Sequence, residues 1–217
     1  MSAFKLQIYS QMKNIIYISF ITIFLTTSLI AQEKKHVVQS YGLVSMGGVS
    51  FNSYYRIDSG WDEKYTDKVS YGGGLKYSYK LFRIIYPSIG IETQYLNGSG
   101  ESGDKVIVDL YHIKLGVLIH LYRRSGFEFD LEADYLHSWA EIEHYYFNKW
   151  EEDLHKGLGI GVGFNTRYVF NSFSGINLGV YSKGYFLNLD GNRGGSGYIN
   201  QFIGLHLEYR VGYSFHF

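Results

Sequence analysis

From Tyr41 to the C-terminus the chain alternates with period two. In its last segment Ile203, Leu205, Leu207, Tyr209, Val211, Tyr213, Phe215 and Phe217 are apolar or aromatic, and Gly204, His206, Glu208, Arg210, Gly212, Ser214 and His216 between them are small, polar or charged. Alternation puts successive side chains on opposite faces of an extended strand, and a helical period fits none of it. The same rhythm runs through Leu158, Ile160, Val162, Phe164 and Tyr168, through Ile176, Leu178 and Val180, and through Ile113, Leu115, Val117, Ile119 and Leu121. Its breaks predict eight strands, near 41–55, 69–80, 84–97, 106–123, 127–137, 155–170, 174–187 and 198–217. Gly47-Gly48 interrupts the first and marks a candidate bulge.

The connections alternate too: long at 56–68, 97–105, 138–154 and 188–197, short at Leu81 to Arg83, Arg124 to Gly126 and Asn171 to Phe173. Long loops at one end and tight turns at the other are the layout of an outer-membrane barrel with both termini on the periplasmic side. The expected fold is all-β, an eight-stranded antiparallel up-and-down transmembrane β-barrel over 41–217 behind an N-terminal signal peptide.

The polar face decides between membrane and water. It collects Lys76, Lys114, Arg167, Lys183 and Arg210 against Glu92, Glu128, Asp130, Glu132, Asp134 and Glu208, with His112, His120 and His206 nearby. Gly157, Gly159, Gly161 and Gly163 share that face in one strand, a poor solvent surface but a good narrow interior opposite Tyr181, Lys183 and Tyr185. A three-residue turn at Arg124 to Gly126 would set Arg123 opposite Phe127, His120 opposite Asp130 and Gly116 opposite Asp134. About eight strands leave room only for side chains, so a lumen filled by a charge network is expected. The alternative is a narrow passive channel in which the acids from Glu128 to Asp134 select cations.

Composition narrows the class. Twenty basic and twenty acidic residues cancel, which removes the electrostatic footprint of a nucleic-acid partner. Without cysteine there is no disulfide, thiolate site, thiol nucleophile or lipoprotein anchor. The 22 Tyr, 15 Phe and 3 Trp suit strands that end among lipid headgroups.

The first 13 residues carry Lys5 and Lys13 and no acid, and an apolar run follows from Asn14 to Ala31. This reads as a signal peptide over 1–32, cleaved after Ala31 or Gln32, with 33–40 a short periplasmic segment. A spanning helix is the alternative.

With its terminal Phe217 and the aromatic Tyr209, Tyr213 and Phe215 behind it, the last strand resembles those that the barrel-assembly machinery recognises. Together with the export signal and loop pattern, residues 41–217 resemble the small outer-membrane β-barrel domain proteins of Bacteroidota, which include PorT-like accessory proteins of a secretion system. The resemblance implies a bacterial outer-membrane location, contact with outer-membrane lipid and the insertion route. It brings no site residues.

No catalytic residue or cofactor is expected. His137-Ser138 with Glu141 and Glu143 is similar to the His-x-Ser motif of lipid A deacylase barrels, but adjacent strand residues point to opposite faces. His137, Glu141, Glu143, His144 and His155 keep no recognised metal-ligand spacing, and no metal site is expected. Trp139, Tyr145, Tyr146, Phe147 and Trp150 form either an aromatic girdle or a surface that binds a protein or glycan. The functional expectation is a non-enzymatic barrel presenting four surface loops, structural or partner-binding, with a channel or an accessory subunit of an envelope secretion complex as alternatives.

Overall fold

The computed structural model describes residues 35–53, 63–99, 105–146, 149–171, 173–190 and 199–217. The proposed signal peptide lies outside the described residues. Eight strands follow in chain order: β1 His36–Ser53, β2 Glu63–Tyr79, β3 Ile85–Ser99, β4 Lys105–Arg124, β5 Phe127–Tyr146, β6 Lys149–Val169, β7 Ser174–Leu189 and β8 Ile199–His216. Each pairs antiparallel with its chain neighbours, and β1 also pairs with β8, so the sheet closes. Closure satisfies every strand edge within the sheet, the condition for crossing lipid with strands.

Alternation sorts the faces. Outward lie Ile89, Ile91, Leu115, Tyr135, Ile160, Val162, Phe164, Leu178, Leu205 and Val211, with Ile160 71% exposed and Phe164 65%. In water such a continuous apolar wall would drive aggregation; against acyl chains it is the solvated surface. Inward lie Gly161, Gly163, Lys76, Glu92, Lys114, Asp134 and Lys183, buried.

Four sequence expectations are corrected. β1 begins at His36, so residues 36–40 are strand and not a leading segment; Val37 and Gln39 point inward, and the paired valines hid the alternation. The β4–β5 turn is the two residues Ser125 and Gly126, with φ of 51° and 84°. Both lie in the left-handed region that matches strand twist in a tight hairpin. Arg123 therefore faces Glu128, and a register shift between His120 and Tyr122 restores the expected pairs His120 with Asp130 and Gly116 with Asp134. Third, the segment 138–154 is mostly strand: β5 and β6 stay paired up to Tyr146 with Lys149. The loops at 56–68 and 97–105 shrink likewise, because β2 starts at Glu63, β3 runs to Ser99 and β4 starts at Lys105. The expected irregularity at Gly47-Gly48 is present as a register shift between Gly47 and Val49.

Candidate functional site

The middle of the lumen is an ionic layer built from six of the eight strands. Lys76 of β2 meets Glu132 of β5 at 2.6 Å, and Lys114 of β4 approaches Glu92 of β3 at 3.4 Å and Asp134 of β5 at 3.3 Å. Lys183 of β7 bridges Glu92 and Glu208, each at 2.6 Å. Arg210 of β8 reaches Glu92 at 3.0 Å, Glu132 at 3.1 Å and Glu208 at 2.6 Å. Four cations thus share four carboxylates. Burying one such ion alone costs several kcal/mol, so the layer holds only as a balanced set.

Two tyrosines complete it. The Tyr41 hydroxyl of β1 donates to Glu92 at 2.7 Å and that of Tyr181 to Asp134 at 2.9 Å. The Tyr181 ring lies under both cations, 3.6 Å from the Arg210 guanidinium carbon and 3.9 Å from the Lys114 ammonium. The glycine row on β6 makes room for these rings: a Cβ at Gly163 would come within 2.6 Å of the Tyr181 ring, and one at Gly159 within 2.7 Å of the Tyr185 Cβ.

Toward the short turns lies a second ionic group. Arg167 donates to Glu128 at 2.7 Å, to Asp130 at 3.0 Å and to Asn177 at 3.2 Å. His120 is 2.8 Å from Asp130, and the mostly exposed Arg123 is 3.2 Å from Glu128. Every lumen residue proposed from sequence therefore lies in one of these two groups. At this end Gln39 Nε2, Ser78 Oγ, Ser88 Oγ, His120 Nε2 and Asn177 Nδ2 are buried without a protein hydrogen-bond partner. Such a group costs ~1–3 kcal/mol if it stays dry.

Toward the long connections the lumen changes character. Above the ionic layer His112 pairs with Ser138 at 2.6 Å, and His206 is held between Ser45 at 2.9 Å and the Tyr185 hydroxyl at 2.7 Å. Above these, Leu96, Val108, Leu110, Ala140, Ile142, Leu187 and Phe202 form a buried apolar cluster with Tyr185. On the outer wall at the same height stand Asp109, Glu141, Glu143, Glu152 and the Lys156–Asp190 pair at 2.8 Å. Polarity has shifted: near the turns the barrel is apolar outside and charged inside, and here it is charged outside with an apolar cluster inside, beside the buried Asp153 and His155. The change falls at Tyr95, Tyr111 and Trp139, of which the last two stack at 5.5 Å, as expected of rings at a membrane–water boundary.

Placement sorts the remaining candidates. Trp139 lies in this ring on the outer wall; Tyr145, Tyr146 and Trp150 belong to the ends of β5 and β6, and Phe147 lies outside the described residues. His137, Glu141 and Glu143 face outward and His155 inward, so the metal candidates divide between faces; among the described residues no group of metal-ligating side chains comes together. His137 and Ser138 point to opposite faces, as adjacent strand residues must. Sequence reasoning missed Tyr41, the His112–Ser138 pair and the apolar cluster. Ser138 falls in the segment expected as a loop, which hid its pairing with His112, and the apolar cluster was masked because the outward residues there are the polar ones. Tyr209 and Phe215 are exposed on the outer face of β8, Tyr213 is partly covered by Phe215 at 4.8 Å, and Phe217 follows the strand.

A closed eight-stranded barrel with an apolar belt and an ionic lumen belongs to the outer-membrane type of fold. No family model matches the sequence, and no curated protein matches it. Among solved structures it is similar to the outer membrane protein OprG of Pseudomonas aeruginosa, with TM-score 0.55, 11% identity and coverage of 86% of this chain and 97% of that one. It is also similar to Ail, the attachment invasion locus protein of Yersinia pestis, with TM-score 0.53, 14% identity and coverage of 85% and 100%. A third similar structure is the outer membrane protease OmpT of Escherichia coli, with TM-score 0.50, 11% identity and coverage of 86% and 98%. At these identities the likeness is one of fold.

Proposed function

We propose that this chain is a non-enzymatic outer-membrane barrel whose lumen carries nothing across, and that it works by presenting its long-loop end at the bacterial surface, as a structural or partner-binding protein. The observation that carries the reading is the double closure of the lumen: the balanced ionic layer, and above it the apolar cluster of Leu96, Leu110, Ile142 and Phe202. An ion entering would have to displace paired charges and then pass a tightly buried apolar cluster, each step costly. Ser138 beside His112 does not make an enzyme on this reading, because both are buried beneath the apolar cluster and no substrate reaches them.

The working surface is the β5–β6 hairpin, which the two strands carry beyond the aromatic ring, with Trp139 at its base and Tyr145, Tyr146, Phe147 and Trp150 as the proposed contacts. Its partner would be a surface or envelope protein. Export by the signal peptide over 1–32 and insertion by the barrel-assembly machinery through Tyr209, Tyr213, Phe215 and Phe217 belong to the same proposal. The finer form, suggested by the Bacteroidota resemblance, is a PorT-like accessory subunit of a secretion complex.

Conductance across planar lipid bilayers tests the reading. Folded protein is expected to give no steady unitary currents; discrete, reproducible steps would replace the closed scaffold with the narrow channel.

A further inference from the structure

Charge cancels over the whole chain but not along the outside of its short turns. From Tyr77 to Ser88 the sequence has no acid, and from Ile119 to Asp130 its acids are Glu128 and Asp130, both buried in the lumen and held by Arg167. Lys80, Arg83 and Arg124 meet no carboxylate among the described residues, and Arg123 reaches Glu128 through Nε while its side chain stays 68% exposed.

These cations share one arc of the rim. The His120 amide donates to the Ile84 carbonyl at 2.7 Å, which sets the β2–β3 turn beside the end of β4 that carries Arg123 and Arg124. Lys35 adds a charge at the Lys80 end, because His36 after it pairs with Tyr79 before Lys80. The third short turn, Asn171 to Phe173, carries none. Among the cations Leu81, Phe82, Ile84, Tyr122 and Phe127 are exposed and continue the apolar wall to its edge. Such a mixture suits neither water nor acyl chains alone. Cations beside outward aromatic rings match the level where hydrocarbon gives way to phosphate. Arginine grips phosphate in a bidentate fork, and cations gain most beside a surface of net negative charge.

We propose that the arc formed by the β2–β3 and β4–β5 turns binds the headgroups of anionic phospholipid, with phosphate held by Arg83 and Arg124 beside Lys80, and acyl chains running along Phe82, Ile84 and Tyr122. The inference goes beyond the closed-lumen reading and holds whether or not the lumen conducts; it requires that the strands cross lipid. The barrel is thereby seated by two of its turns on one charge class of lipid.

NMR of the protein in lipid nanodiscs at low salt tests the site, with phosphatidylglycerol replacing phosphatidylcholine stepwise. Amide signals of Leu81 to Ile84 and Arg123 to Gly126 are expected to move several-fold further than those of Asn171 and Phe173. Combining Lys80→Gln, Arg83→Gln and Arg124→Gln removes three charges that have no carboxylate to lose among the described residues. In that variant the movement at both turns is expected to fall to the level of the third. Equal movement at all three turns in the unaltered protein, or undiminished movement in the variant, would overturn the proposal. No movement at any turn would overturn it too, and would leave the arc to a protein partner.

Discussion

At the residue scale the ionic layer turns on Glu92, which accepts from Tyr41, Lys114, Lys183 and Arg210. Replacing it by glutamine keeps the shape and leaves the four cations one anion short. Glu92→Gln is therefore expected to destabilise the barrel by about 3–5 kcal/mol, against a change within about 0.5 kcal/mol for Glu152→Gln on the exposed rim. Reversible urea unfolding in lipid vesicles measures both. The glycine row gives a second contrast. Gly163→Ala would press on the Tyr181 ring and the Val180 carbonyl, each 2.6 Å from the added Cβ, and should cost about 1–3 kcal/mol, whereas Gly179→Ala meets its nearest atom at 3.3 Å and should be close to neutral. The charged lumen residues were legible in the sequence because alternation assigns faces before any contact is known. The contacts of Lys76 with Glu132, of Lys183 with Glu92 and of Arg210 with Glu92 and Glu132 were not, because they cross the lumen between strands far apart in the chain.

At the element scale the β5–β6 hairpin shows how an inverted pattern hides a strand. Ala140, Ile142, Asp153 and His155 keep the period of two and are buried, but their outward neighbours Glu141, Glu143 and Glu152 are acidic, so the stretch read as a polar loop. The strands persist there because the apolar cluster inside gives them a core of their own. Ile142→Asp should dissolve this upper section and leave the membrane belt intact. Limited proteolysis would show new cleavage within 140–155 together with a protected barrel; unchanged protection would mean that the hairpin does not depend on that cluster. The β4–β5 turn offers a gain: Ser125→Gly removes the side chain from a φ of 51° and should stabilise by a few tenths to about 1 kcal/mol, measured by the same urea unfolding. Sequence located this turn but made it one residue too long, because the compensating shift at His120 to Tyr122 leaves every pair beyond it where a longer loop would have put it.

At the scale of the whole molecule, three layers stack along one axis: a polar floor of unpaired donors and acceptors, a neutralised ionic layer, and an apolar cluster under a charged outer wall. Strand number, pairing order and lumen charge follow from the period and the turn spacing, which are local properties. The apolar cluster depends on strands running past the membrane, which the hydrophobic pattern alone underestimates. All of it presupposes that the apolar wall around Ile160 and Phe164 faces lipid in a closed barrel. The direct test is electrophoresis of protein extracted from the outer-membrane fraction, run in detergent with and without boiling. A closed barrel is expected to survive cold detergent and to change its apparent mass on boiling. Identical mobility in both lanes, from a sample shown to be membrane-inserted, would contradict the closed transmembrane barrel on which the rest depends.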